Sequence, residues 1–176
     1  MRYADGPRTY CEVHIKATVE EVWSLITDIA LPARLSPELR GVAWLDGADG
    51  PAVGARFEGH NENERLGNWR TVSHVTELTD REVFAWIVTD ADGRFGRPSV
   101  DPAASLASWR YELTPEDGGT RLRHSVLIGP GRNGVTAAID RWPDREEQII
   151  EVRLGELRTG MTATLDGIKT LAEQGS

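Results

Sequence analysis

The chain has a single cysteine, Cys11, among 176 residues, so no intramolecular disulfide can form and nothing points to an oxidising compartment. It also lacks a long hydrophobic run. The longest, Val83 to Val88, is far too short to cross a bilayer, which argues against membrane insertion. The opening "MRYADGPRTY" has no apolar stretch of the kind a signal peptide carries, and the expected location is the cytoplasm. Basic charge is scarce: 20 Lys and Arg stand against 28 Asp and Glu, a formal net charge of −8. Binding by phosphate neutralisation needs clustered Lys and Arg, so nucleic acid is disfavoured as a partner. Histidine is sparse too. His14, His60, His74 and His124 show no metal-ligand spacing, and Cys11 and His14, an odd number of positions apart on a strand, point to opposite faces. No elbow motif for a serine nucleophile is present.

What is there reads as one domain over residues 1–176, long enough to bury roughly 68–70% of its unfolded surface and to hold a cavity besides. "RTYCEVHIK" alternates, with Cys11, Val13 and Ile15 on one face, and predicts a half-buried strand. Thr18 and Glu21 then form a capping box opening a helix whose apolar positions are Val22, Leu25, Ile26 and Ile29. Pro32 and Pro37 bound a short second helical turn around Ala33 to Leu35. From Val42 strand follows strand, broken by "DGADGPAVG", "NERLGN", "LTDRE" and "TPEDGGT", turns too short for helical crossovers, so the sheet is antiparallel. One connection is longer. Residues 90 to 105, "DADGRFGRPSVDPAAS", have the length of a functional lid or a mobile segment.

The chain closes with a long helix, with Pro143 in its first turn and Asp144, Glu146 and Glu147 near the positive end of its dipole. Leu154, Leu157, Met161, Leu165, Ile168 and Leu171 form its apolar stripe, expected against the sheet. Gly155, Gly160 and Gly167 interrupt it, either for close packing or tolerated weakness, or to leave room for a ligand.

Gly129, Gly131 and Gly134 in "LIGPGRNGV" match the G-x-G-x-x-G fingerprint of dinucleotide-binding proteins, between a strand-like and a helix-like run. That fingerprint also requires a second parallel strand ending in an acidic residue that holds the ribose. Almost everything after Gly134 reads as helix, so the match is accidental and no cofactor is expected. "GPGRNG" reads instead as a strand-to-helix loop at the edge of a cavity mouth.

The order strand, two short helices, antiparallel strands and one long C-terminal helix resembles the helix-grip fold of the START-like (SRPBCC) superfamily, the birch pollen allergen type. "TVEEVWSLITDIALPARLSPEL", "VGARFEGHN", "SWRYELTPEDGGTRL" and "TLDGIKTLAE" carry the likeness, which covers nearly the whole chain and is nearest to the polyketide cyclase/dehydrase branch. The resemblance implies an α+β fold: a curved seven-stranded antiparallel sheet gripping the long helix around a deep cavity. It further implies a hydrophobic or aromatic small-molecule ligand, lipid- or polyketide-like. Some members catalyse cyclisation, aromatisation or dehydration without a cofactor, and others sequester an antibiotic. Monomer and homodimer remain open.

The residues name the candidates for that cavity. In "TRLRHSVLI" alternation puts His124 on the apolar face with Leu122 and Val126, and in "LASWRYEL" Trp109 and Tyr111 share a face. Across the hairpin Trp109 and His124 come near each other, within about two residues of register. His124 is a core histidine, a ligand contact or the proton-transfer group of a catalyst. Phe57, Trp69 and Trp86 are expected pocket walls, although "VFAWIV" is apolar on both phases and leaves the face of Trp86 undetermined. Asn61 is a polar anchor or a solvated strand end. Leu157, Met161 and Leu165 complete the set from the long helix.

Overall fold

A computed structural model describes residues 1–64 and 67–175. Seven strands, β1 (Arg8–Ile15), β2 (Leu39–Trp44), β3 (Arg56–Asn63), β4 (Gly67–Thr79), β5 (Val83–Thr89), β6 (Ala107–Glu116) and β7 (Gly119–Ile128), form one antiparallel sheet in the order β1-β7-β6-β5-β4-β3-β2. Strands β2 to β7 are sequential neighbours, all but β5 and β6 joined without a long connection, and β1 closes the far edge against β7. Of the predicted turn "NERLGN", Arg65 and Leu66 lie outside the described residues.

Helices α1 (Val19–Ile26) and α2 (Leu31–Leu35) carry the chain from β1 to β2 at the opposite edge. The capping box forms as expected: Thr18 N donates to Glu21 Oε2 at 2.9 Å, and Glu21 N to Thr18 Oγ1 at 3.2 Å. α1 ends at Ile26 rather than Ile29, because the next turn is closed by Asp28, whose Oδ1 accepts from Ala30 N. Pro32 sits within the first turn of α2 instead of bounding it, a place where the missing N–H costs no hydrogen bond.

After β7 the chain forms α3 (Gly134–Arg141), a 3-10 turn (Pro143–Arg145) and α4 (Glu146–Gln174). Pro143 therefore precedes the long helix, since the backbone breaks at Trp142 (φ −136°, ψ 72°). Two apolar clusters hold α4. Ile150 and Leu154 of its N-terminal part pack with Ile128 and Val135, while Leu165, Ile168 and Ala172 join Ile15, Val22, Ile26, Phe84 and Leu122 in the larger core. Leu171, expected in the stripe, is 41% exposed and Ala172 points inward instead. At about 100° per residue, seven positions beyond Leu165 return to nearly the same face, whereas six leave the side chain about 120° away.

The long connection is held by its own first residue. The buried Asp90 carboxylate accepts from Arg94 N (2.8 Å) and Phe95 N (2.9 Å), and its carbonyl from Ser99 N (2.8 Å). A 3-10 turn at Pro102–Ala104, capped by Asp101, ends it.

Candidate functional site

A cavity of about 680 Å³ lies between the sheet and the middle of α4. Alternation builds its walls, because every second residue of a strand points to the concave face. β3 contributes Phe57 and Asn61, β4 Trp69 and Ser73, β5 Phe84 and Trp86, β6 Trp109 and Tyr111, and β7 His124 and Val126, while Leu157, Gly160, Met161 and Thr164 come from α4. Asn61 is half-buried and pairs in register with Trp69. Leu165 does not line the cavity. About 40° past Met161 around the helix, it turns into the core beside α1, and Thr164 takes the cavity position.

Trp86 is the hub. Its ring lies 5.1 Å from Phe84, 5.7 Å from Tyr111, 6.2 Å from Phe57 and His124, and 6.4 Å from Trp109, the last stacked at 12°. Pairing across the sheet settles the phase of "VFAWIV": Trp86 lies opposite Trp109, and Phe84 opposite Tyr111. Of the remaining tryptophans, Trp44 packs edge-on against Phe57 at 5.5 Å, Trp23 packs on the core, and Trp142 stands 46% exposed at the mouth.

Tyr111 and His124 are directly opposed on β6 and β7, with ring centroids 4.1 Å apart at 15°, and Trp109 also stacks on His124, at 5.2 Å and 25°. His124 Nδ1 lies 3.2 Å from the Arg110 carbonyl oxygen. A carbonyl can only accept, so Nδ1 carries the proton and Nε2 is left with a bare lone pair. Neither Nε2 nor the Tyr111 hydroxyl has a partner among the described residues. Since no enclosed side-chain nitrogen or oxygen there is left unpaired, both atoms are reached from the cavity. Burial pulls the His124 pKa down to about 4, the Arg110 carbonyl offsetting part of the effect, and burial raises that of Tyr111.

A depressed pKa for a base makes folding sensitive to acid. The unfolded imidazole, with its ordinary value of 6.5, takes up a proton as pH falls below that value, while the folded one stays neutral down to about 4. The associated stability is complete above pH 6.5, is lost progressively as pH falls from there, and the loss levels off below about pH 4. At pH 5 the loss amounts to about 2 kcal/mol. Urea unfolding of the parent and of His124→Phe at pH 7.5 and pH 5 should show a smaller acid loss in the variant by that amount. Equal losses would mean that the imidazole is protonated in the folded cavity.

Several lining residues were not singled out by the sequence, although the loops that carry Phe95 and Asn133 were. Phe95 is placed by the Asp90 turn, and Arg94 lies 5.6 Å over both Phe95 and Trp69. Asn133 caps α3, accepting from Val135 N at 2.8 Å, while its Nδ2 donates to the Tyr3 hydroxyl at 2.7 Å. A polar bridge crosses the mouth: Asn63 Nδ2 donates to Glu38 Oε1 at 2.9 Å, and Arg153 of α4 stands 3.7 Å from Glu38 and 3.0 Å from Glu156. The contacts of Asn133 with Tyr3, of Glu38 with Asn63 and Arg153, and of Arg94 with Trp69 join segments distant in sequence, which no local pattern reveals. Among the described residues, no group of three or more His, Cys, Asp or Glu could share a metal ion. No helix there is long and apolar enough to cross a membrane.

A curved antiparallel sheet closed over one long helix, with an apolar cavity between, defines the helix-grip fold of the START-like superfamily. The chain belongs to the family described as polyketide cyclase / dehydrase and lipid transport, whose sequence model matches residues 8–173. It is similar to the polyketide-cyclase-like protein Cgl2372 of Corynebacterium glutamicum, at 27% identity over 96% of this chain and 92% of that one, with a TM-score of 0.64. The di-domain ARO/CYC StfQ of the steffimycin biosynthetic pathway is similar over 98% of this chain and 52% of its own length, at 10% identity and a TM-score of 0.72. Ara h 8.0201 is similar at 11% identity over 94% and 96%, with a TM-score of 0.58. The last two speak for the fold alone. No curated protein matches the chain.

Proposed function

We propose that the protein binds a hydrophobic or aromatic small molecule, lipid- or polyketide-like, in the cavity between the sheet and α4. The observation that carries this reading is the cavity itself, about 680 Å³ walled by Trp86, Trp109, Phe57 and Met161, a size and lining suited to a compact organic ligand. At roughly 25 cal/mol per Å², a ligand burying about 400 Å² of apolar surface contributes about 10 kcal/mol, which leaves about 8 kcal/mol, the scale of micromolar binding, after an ordering cost of about 2 kcal/mol. Cofactor-independent cyclisation is the second reading, favoured by the acceptor nitrogen and phenol at the cavity wall. It ranks lower because His124 offers no N–H to the cavity and, with a pKa of about 4, is a weak base at neutral pH.

Native mass spectrometry of freshly purified protein, followed by solvent extraction, tests the first reading together with a panel of apolar and aromatic compounds. The expected result is a retained apolar molecule, or micromolar quenching of tryptophan emission by part of the panel. A clean apo mass with neither emission nor melting temperature perturbed by any compound would overturn it.

A further inference from the structure

We infer that His124 and Tyr111 select, among apolar ligands of similar shape, those that present a hydroxyl donor to the wall formed by β6 and β7. The inference rests on the cavity-binding reading and adds the polarity that the ligand must carry.

The argument is one of hydrogen-bond inventory. His124 is buried, 5% exposed, and its single N–H is committed to the Arg110 carbonyl. What faces the cavity is an acceptor alone. Tyr111, 2% exposed, brings a hydroxyl that both donates and accepts, on a ring stacked 4.1 Å away. The neighbouring wall, Phe84, Trp86, Trp109 and Val126, offers no acceptor: its only polar groups are the two indole N–H donors. A ligand carbonyl or ether answers Tyr111 but leaves Nε2 facing a lone pair. A hydrocarbon answers neither, and a dry ligand then strips both of water without replacement. A phenolic or enolic hydroxyl answers Nε2, with an oxygen that can accept from Tyr111. Ser73, Thr71 and Asn61 also line the cavity, but a hydroxyl or an amide both donates and accepts and so does not discriminate. Leaving a buried polar atom unpaired is what makes such a site reject the analogue lacking the donor. His124 therefore acts as an acceptor toward ligand.

Equilibrium dialysis with 2-naphthol, 2-methoxynaphthalene and naphthalene tests this on the intact protein. The methoxy compound keeps the shape and an acceptor oxygen for Tyr111 and removes only the donor. The expected order places 2-naphthol about tenfold tighter than 2-methoxynaphthalene. In His124→Phe, which keeps an aromatic ring and removes the acceptor, that preference should shrink to about threefold or less. If 2-methoxynaphthalene or naphthalene binds the parent as tightly as 2-naphthol, selection by hydroxyl is wrong while cavity binding stands. If none of the three binds, the cavity-binding reading fails for aromatic ligands, and this inference fails with it. The comparison on the parent protein decides even where the variant does not fold.

Discussion

Replacing Gly160 with tryptophan weakens ligand binding about a hundredfold and leaves the protein folded. Gly160 lies on the cavity face of α4, and a Cβ placed on it meets no atom within 4 Å. An indole at that point projects into the space that a ligand would fill, opposite the aromatic wall around Trp86. Affinity should fall by about two orders of magnitude, since losing about 110 Å² of ligand burial at roughly 25 cal/mol per Å² forfeits about 2.7 kcal/mol. Stability should hold or rise slightly, because tryptophan is a better helix residue than glycine by a few tenths of a kcal/mol. Gly155 is the control: it too has open space around its Cβ but does not line the cavity, so Gly155→Trp should bind as the parent does. Dialysis and thermal melts of the two variants check this, and undiminished binding by Gly160→Trp would place the ligand elsewhere. Gly167 differs again. Its Cβ would meet Leu35 Cδ2 at 2.6 Å, so this glycine serves the packing of α2 on α4.

Gly131→Ala is expected to be the most destabilising single methyl in the chain's loops. Its Cβ would stand 2.0 Å from the Ala104 carbonyl oxygen and 2.9 Å from that of Ser105, both backbone atoms that cannot swing aside. Gly131 N also donates to Ser105 O at 2.8 Å, and its own carbonyl accepts from the Tyr3 hydroxyl at 2.5 Å, so relief of the clash breaks other contacts. The expected cost is about 3 kcal/mol, a fall in melting temperature of about 10 °C for a chain of this size. Gly134→Ala meets only Phe95 ring carbons at 3.7 and 3.9 Å and should change the melting temperature little. Equal melts for the two variants would show that the loop is not pressed against residues 104 and 105.

That pair of variants explains the false fingerprint. In a dinucleotide-binding loop the middle glycine lets the backbone approach a pyrophosphate. Here the same absence of a Cβ lets Gly131 approach the protein's own carbonyl at Ala104, and no strand follows Gly134 among the described residues. A spacing of glycines records that backbones come close; it does not record what they approach.

The sequence by itself determined what depends on neighbours along the chain. Period-two alternation placed Trp109, Tyr111 and His124 on the concave face, the Thr18 and Glu21 pair set the start of α1, and short turns made the sheet antiparallel, because each signal is read within one or two turns of backbone. Tertiary structure decided the rest. "VFAWIV" is apolar on both faces, so only its pairing with β6 could turn Trp86 to the cavity. Helical spacing alone could not separate Leu165 from Thr164 or Leu171 from Ala172, since the face that matters is chosen by what packs there. The proton position on His124 was likewise invisible, for it depends on one carbonyl, that of Arg110, brought to 3.2 Å by strand pairing across the hairpin. Local pattern says which side chains can face inward; the atoms they meet there, and hence their chemistry, are set by residues far away in sequence.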